Sequence, residues 1–338
     1  MADSRDATSP NRFRTFMVPA VIVYVIAVSA FSIWRGISVS PDYFVIVLLL
    51  GAIALGRWKA FVVDWLPFVA LFLGYEILRG LAGNSGIAPH YSGPIDFDDF
   101  VFLGHQPTVW LQQHLYQPGV VSVLDVVTTV FYFCHFAYPL TLGFVFWIKD
   151  RALFRRFAAA LLAMSFTAFV FYLLVPVAPP WLASQQGYLP HVEKIISHTL
   201  PSATDWFYQH LNPNQVAAMP SLHAAFPVLG LLYAIKLWGR RAWPLALWCG
   251  AVCFSIVYLG EHYVADAIAG IAFAIASFYA VEFAFRRLAK PGEADPGLGL
   301  VEPIDGQEDG GISLEIPRQA EGANRHPAGA EVPAQLHD

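Results

Sequence analysis

Charged residues are scarce in this sequence. Asp, Glu, Lys and Arg make up 13% of the 338 residues, whereas a soluble globular domain carries about 25%. Hydrophobic residues make up 57% and aromatic residues 15%. This composition excludes an ordinary soluble domain and places the chain among the membrane proteins.

The sequence also contains no basic cluster of the kind that binds nucleic acid. Its formal net charge is −5, and much of the acidity lies in a C-terminal tail, so the charge says little about partners. We therefore expect no nucleic-acid partner. The sequence indicates no cofactor, and it does not indicate an oligomeric state.

Cysteine is equally rare, and Cys134, Cys249 and Cys253 all fall inside apolar runs. We interpret them as small buried hydrophobic residues rather than disulfide partners or metal ligands. No small-residue cleavage site follows the first apolar run. We therefore expect that run to be a retained helix and not a removed signal peptide.

Apolar stretches long enough to cross a bilayer, about 17–25 residues, recur along the chain. We predict an all-α polytopic membrane protein with about eight transmembrane helices, of which the third onward form a six-helix core bundle. The predicted spans lie near Phe16–Trp34, Tyr43–Leu55, Phe61–Leu78, Leu124–Ile148, Phe157–Val177, Leu222–Leu237, Trp243–Leu259 and Tyr263–Phe285.

Lysines and arginines cluster in alternate connections between these spans, which indicates the orientation of the chain. The clusters contain Arg12 and Arg14, Arg57 and Lys59, Lys149 and Arg151, Arg240 and Arg241, and Arg286 and Arg287. Because cations favour the cytoplasmic side, both termini are expected there. The long loops, about Gly80–Ser122 and Ala178–Pro220, then face outward, and we expect a location in the plasma membrane.

Composition divides the chain into three parts. Residues 1–60 are a polar segment with two transmembrane helices, residues 61–290 form the core bundle, and residues 291–338 are expected to be a disordered cytoplasmic tail. In the first outer loop, Asp96–Gln113 reads DFDDFVFLGHQPTVWLQQ. This segment is either a short interfacial helix or an ordered loop without chemistry.

Three ionisable residues stand at membrane depth, where such groups are costly and are functional candidates. His223 lies in AMPSLHAAFP, and His262 and Asp266 lie in YLGEHYVADAIAG. Four residues separate the last two, so on a helix they share a face and Asp266 can accept a hydrogen bond from His262. The predicted topology puts His223 and His262 at the outer ends of their spans.

The start of the span that carries His223 could bind an anion. Ser221 can offer its hydroxyl there, and a helix N-terminus presents unpaired backbone N–H groups. A phosphate ester bound at this point would meet two histidines. The sequence thus predicts phosphate-ester chemistry on the extracytoplasmic side.

Other ionisable residues have ordinary structural explanations. Glu261 is expected to be an interfacial carboxylate, and His135 lies inside the fourth span without a partner motif. The remaining histidines are expected to be structural; they include His90, His105, His114, His191, His198 and His210. Two hypotheses stay open: two histidines and a carboxylate could bind a metal ion, or the chain could be a lipid transporter without catalysis.

The motif PSLHAA followed by HYVAD resembles the superfamily of type-2 phosphatidic acid phosphatases, and more closely its inositol phosphorylceramide synthase branch. The stretches LLVPVAPPWLA, YEILRG and GHQPTVWLQ support the resemblance, which covers about Leu71–Gly270. The resemblance implies that His262 attacks phosphorus and forms a phosphohistidine. It also implies that Asp266 orients His262, and that His223 first protonates the leaving oxygen and later acts as a base.

The resemblance further implies a lipid phosphotransferase or phosphatase. The synthase branch uses phosphatidylinositol as donor and a ceramide-type lipid as acceptor. The alternative is a phosphatase of lipid phosphate monoesters or polyprenyl phosphates. No metal ligand is implied.

The sequence departs from the phosphatase pattern where that pattern has cations. The region VPVAPPW has no Lys or Arg, and Ile256 and Ser255 stand where an arginine is expected before the last histidine. Arg79 is our candidate for the missing phosphate contact, although an interfacial arginine would look the same. We assign substrate binding to Ser221, Arg79 and Tyr263, and the missing cations favour headgroup transfer over monoester hydrolysis.

Overall fold

The computed structural model describes residues 23, 41–82, 86–200 and 214–288. The described chain is helical and has isolated β-bridges but no β-strand, so the all-α prediction is confirmed. Numbered in chain order, the helices are α1 Pro41–Ala54, α2 Trp58–Ala82, α3 Ser92–Val101, α4 Pro107–Leu115, α5 Val123–Lys149, α6 Arg151–Leu174, α7 Pro180–Gln185, α8 Ile196–Thr199, α9 Leu222–Trp238, α10 Trp243–Tyr258 and α11 Val264–Leu288.

Several of these helices are long and apolar enough to cross a membrane. Among the described residues, four stretches qualify, namely Trp58–Gly80, Arg151–Leu174, Leu222–Tyr258 and Val264–Leu288. Helix α5, bent by 50°, makes a fifth if its two halves form one span. The chain is therefore a polytopic membrane protein. Apart from residue 23, the first predicted span, near Phe16–Trp34, lies outside the described residues, as does the predicted C-terminal tail, so the number eight stays a prediction.

Capping side chains explain where the helices of the core begin. Ser122 and Asp125 form a capping box at the start of α5, with each side chain accepting from the other's backbone N–H at 3.2 and 2.7 Å. The carboxylate of Asp150 accepts from the backbone N–H groups of Ala152 and Leu153 and caps α6. Asp150 is the single residue between α5 and α6. So short a connection makes α5 and α6 antiparallel neighbours.

Helix α9 is the centre of the bundle, since it packs against α5, α6, α10 and α11. At Gly230 a Cβ atom would lie 2.7 Å from the Leu142 side chain and 2.8 Å from that of Tyr138. Glycine therefore lets α9 approach α5 closely, as small residues do in membrane helix pairs.

One end of the bundle is covered by short helices. There α3 packs on α11, α4 on α10 and α8 on α5, while the bridges His90–Val177 and Val177–Ala217 tie the intervening loops together. The segment Asp96–Gln113 contains the end of α3, a turn and most of α4, so it forms parts of two short helices where one helix or a loop was expected. The starts of α9 and α11 meet at this covered end.

Candidate active site

The turn between α10 and α11 carries His262. Gly260, with φ of +79°, allows the chain to reverse, and His262 then stands just before α11. Its Nδ1 lies 3.3 Å from Oδ2 of Asp266, and the same oxygen accepts a hydrogen bond from the backbone N–H of Tyr263 at 2.9 Å. His262 therefore precedes α11, and only Asp266 lies on the helix, but the two side chains still meet.

His223 lies in the first turn of α9, directly opposite His262. Nδ1 of His223 is 3.3 Å from Nε2 of His262. Asp266, His262 and His223 therefore form a continuous row in which both ring nitrogens of His262 face a partner. The order of the row is carboxylate, imidazole, imidazole.

The starts of α9 and α11 are in direct backbone contact. The N–H of Ser221 donates to the carbonyl oxygen of Asp266 at 3.0 Å, and the Ser221 hydroxyl caps α9 by accepting from Ala224 N–H at 3.4 Å. A Cβ atom on Gly270 would lie 2.1 Å from the Ser221 carbonyl oxygen. The two histidines can thus be neighbours because Gly270 has no side chain.

A cavity opens beside this row. His223 and His262 line it, together with Arg79, His135 and Glu261. Aromatic side chains complete much of the wall, including Tyr75, Tyr132, Tyr172 and Trp181. Histidine and arginine donors inside an aromatic wall suit an anionic group attached to an apolar body.

Residues 96–280, more than half of the chain, match the PAP2 superfamily. The chain belongs to the PAP2 superfamily. It is also 29% identical over 184 residues to a Bacteroides thetaiotaomicron protein named phosphoinositol dihydroceramide synthase. The aligned region covers 49% of this chain and 58% of that relative. The chain therefore spans little more than half the length of that relative. No solved structure matches. The family match confirms the predicted superfamily.

In this PAP2 member, two of the sequence stretches that support the family resemblance contact the turn before His262. Gln112, in GHQPTVWLQ, donates to the carbonyl oxygen of Tyr258 at 2.9 Å. Trp181, in LLVPVAPPWLA, donates its backbone N–H to the carbonyl oxygen of Gly260 at 3.1 Å. Both stretches therefore support the position of the histidine motif rather than supplying reactive groups.

Arg79 stands at the end of α2 and lines the cavity. Its Nε and Nη2 donate to Glu76 at 3.2 and 3.1 Å, and its carbonyl oxygen accepts from the Asn214 side chain at 3.3 Å. The PAP2 chain thus has an arginine in the same cavity as both histidines, although not at the usual positions of the family. Its role in phosphate binding stays a prediction.

His135 is a cavity residue that the motifs did not single out. Its ring lies 4.1 Å from that of His223 and stacks on Phe226 at 4.7 Å, measured between centroids. Tyr132, one turn earlier on α5, stacks on His223 at 4.2 Å. These contacts fix the plane of the His223 ring. The only sequence signal was a histidine inside a predicted span.

Asp98, on α3, is a second residue that the sequence did not single out. It is fully buried and accepts hydrogen bonds from the backbone N–H groups of Val264 and Ala265 at 3.0 and 2.9 Å. Burial raises the pKa of Asp98 to about 6. The two hydrogen bonds oppose this effect, because they stabilise the charged carboxylate. Nothing in the run DFDD distinguishes Asp98 from its neighbours Asp96 and Asp99.

Three further residues differ in part from what the sequence indicated. Glu261 is buried and lines the cavity, whereas an interfacial position was expected. Ser221 and Tyr263 are both fully buried. Tyr263 packs in a cluster with Ile95 and Leu189, a position that suits support of the turn. Substrate binding by Ser221 and Tyr263 stays a prediction.

Proposed function

We propose that this protein moves a phosphorylated headgroup between membrane lipids through a covalent intermediate on His262. The observation that carries the proposal is the row of Asp266, His262 and His223 beside one cavity. In such a row one imidazole can attack phosphorus while the other manages the proton.

In the first half-reaction, Nε2 of His262 is the attacking atom. Asp266 accepts the hydrogen bond from Nδ1–H, which leaves the lone pair on Nε2 and stabilises the positive charge that develops on the ring. The Nε2–P bond forms while the bond from phosphorus to the leaving oxygen breaks. Protonated His223 gives its proton to that oxygen, and the first lipid leaves as a neutral alcohol.

In the second half-reaction, neutral His223 acts as the base. It takes the proton of an acceptor hydroxyl, whose oxygen forms the new bond to phosphorus as the Nε2–P bond breaks. An acceptor lipid gives transfer and water gives hydrolysis, so the acceptor alone distinguishes the two reactions. After either one, His223 is protonated again and His262 is neutral.

Phosphoryl transfer needs positive charge near the equatorial oxygens. We assign this role to Arg79, because it reaches the cavity that both histidines line. Two of its five N–H donors are directed to Glu76. The remaining donors can bind a phosphate oxygen while Glu76 holds the guanidinium in place.

As substrates we propose phosphatidylinositol as donor and a ceramide or dihydroceramide as acceptor. Two observations support this choice: the similarity to the Bacteroides thetaiotaomicron phosphoinositol dihydroceramide synthase, and the absence of cations from VPVAPPW, where monoester phosphatases carry them. The alternative in the same class is a phosphatase of lipid phosphate monoesters or polyprenyl phosphates.

The test is turnover of headgroup-labelled phosphatidylinositol by purified protein in liposomes, with and without dihydroceramide. We expect a labelled sphingolipid only when the acceptor is present, and loss of turnover by at least about a hundredfold in His262→Ala. His191→Ala is the matched control, because this histidine is 84% exposed and pairs with Glu193. Equal turnover by His262→Ala and wild type would overturn the mechanism.

The same assay separates the remaining hypotheses. Labelled water-soluble phosphate without acceptor would indicate hydrolysis. Inhibition by vanadate, which mimics the phosphorane, supports the phosphohistidine, whereas inhibition by chelators alone would support a metal site. Among the described residues, no group of three or more His, Cys, Asp or Glu side chains is arranged to hold a metal ion. A lipid transporter would move labelled lipid across the bilayer without converting it.

We further propose that the active site faces the extracytoplasmic side of the plasma membrane and that both termini are cytoplasmic. The cations of the α5–α6 and α9–α10 connections lie at the bundle end opposite the histidines, and cations favour the cytoplasm. Reporter fusions to each terminus measure this directly. Activity of an exported reporter at either terminus would contradict the orientation.

A further inference from the structure

The N-terminus of α11 is capped by a residue from a distant helix. The oxygens of Asp98 accept from the N–H groups of Val264 and Ala265, the first two residues of α11, which lie 166 and 167 positions along the chain. A helix is usually capped by the residue just before it, through a side-chain oxygen. Here that residue is Tyr263, whose ring is packed away in a buried cluster.

Two carboxylates therefore divide the N–H groups at this helix start. Asp98 accepts hydrogen bonds from the N–H groups of residues 264 and 265. Oδ2 of Asp266 accepts from the N–H of Tyr263 and also faces Nδ1 of His262. The other oxygen of Asp266, Oδ1, is buried without a hydrogen-bond partner in the described part of the chain. Asp266 thus has spare accepting capacity directly beside the N–H groups that Asp98 holds.

Removal of Asp98 would leave one buried and one partly buried N–H group without an acceptor, a state that folded proteins avoid. Asp266 is the carboxylate within their own helical turn, so it would rotate or shift toward them. Any such movement takes Oδ2 away from His262 and frees the tautomer of the attacking imidazole.

We propose that Asp98 is a positioning residue: it satisfies the first N–H groups of α11 so that Asp266 remains directed at His262. This inference rests on the proposed function of that pair. It assigns α3 a part in the reaction, since α3 carries the carboxylate that holds the catalytic turn. At neutral pH, above a pKa of about 6, Asp98 is charged and both of its oxygens are acceptors.

The experiment compares Asp98→Ala and Asp98→Asn with Asp96→Ala, an exposed aspartate of the same helix. For Asp98→Ala we expect kcat to fall about 10–100-fold per folded molecule, as for other residues that orient a catalytic group, with KM within about twofold. Asp98→Asn keeps one acceptor oxygen, so its kcat should lie between those of wild type and Asp98→Ala. This variant remains informative if the alanine variant does not fold. Asp96→Ala should match wild type.

A second readout does not depend on turnover. Nitrogen-15 NMR of labelled histidines reports the tautomer of His262, whose signals are identified by their loss in His262→Gln. We expect wild type and Asp96→Ala to carry the proton on Nδ1, and both Asp98 variants to show a mixture of tautomers. Failure of wild type to convert any lipid would count against the proposed function, while these spectra would still decide the role of Asp98.

A purely structural cap would behave differently. It would reduce the yield or melting temperature of the Asp98 variants, but the folded fraction would keep the kcat and the His262 spectrum of wild type. Either of those results would overturn the proposal.

Discussion

Three histidines stand side by side in this protein, but their surroundings give them different capacities. His262 has a carboxylate on Nδ1 and a second histidine near Nε2. His223 is stacked on Tyr132 and lies against His135. An anionic partner favours a nucleophile that becomes positively charged, whereas an aromatic stack fixes the direction in which a proton is passed.

The assignment of His223 as the general acid makes a prediction about leaving groups. His223→Ala should slow turnover of a dialkyl phosphodiester about 10²–10⁴-fold, because its alkoxide leaves poorly without a proton. An ester with a p-nitrophenyl leaving group needs little protonation and should lose much less. Turnover of both esters by wild type, His223→Ala and the control His191→Ala measures the difference, and equal losses for both esters would contradict the role.

Sequence reasoning predicted the residues of this site that lie within short motifs. The spacing of His262 and Asp266 is local, and PSLHAA placed His223 at a helix start, so neither required knowledge of the packing. Asp98 and His135 act across the bundle, through contacts with α11 and α9. Their chemistry depends on which helix they face, and the run DFDD and a single intramembrane histidine do not contain that information.

At the scale of the helices, the distance between α9 and α11 determines whether the two histidines meet. At Gly270, α11 lies against Ser221, the cap of α9, with no room for a side chain. Because membrane helices gain little from hydrophobic burial against each other, such close contacts matter for their packing.

Gly270→Ala should therefore separate these helices. The new Cβ atom would lie 2.1 Å from the Ser221 carbonyl oxygen, so we expect a loss of about 1–3 kcal/mol in unfolding free energy, or more, and a large loss of turnover. Gly250→Ala on α10 is the matched control, because nothing lies within 4 Å of its Cβ position. That change should be neutral or stabilising, by up to about 1 kcal/mol.

Thermal unfolding of the two glycine variants in the same detergent, with turnover measured alongside, makes the comparison. Wild-type behaviour of Gly270→Ala would show that α9 and α11 can separate without disturbing the site.

Over the whole molecule, the end of the bundle opposite the histidines is held by buried charges. Glu282 on α11 accepts from Arg156 on α6 at 3.1 Å and also from Lys236 on α9, and it is almost completely buried. The same three helices carry or support the site at their other ends. The Glu282 cluster is thus remote from the histidines, although it joins the same helices.

Glu282→Gln should reduce stability without changing the reaction. Removal of one partner leaves buried positive charge uncompensated, which costs about 3–5 kcal/mol. The double variant Glu282→Gln with Arg156→Met should lose less, since one of the stranded cations is also gone. Melting temperature and kcat per folded molecule test this together, and a large fall in kcat at unchanged stability would contradict the separation.

The amino-acid sequence by itself determined that this protein is an all-α membrane protein with one histidine–aspartate motif and a second histidine at a helix start. These properties follow from composition, from the length of apolar runs and from spacings of a few residues. Tertiary structure alone decided that His223 meets His262, that Arg79 and His135 share their cavity and that Asp98 caps α11. Each of these contacts joins residues far apart in the chain, and each depends on how closely two helices pack, which glycines such as Gly270 permit but no local pattern specifies.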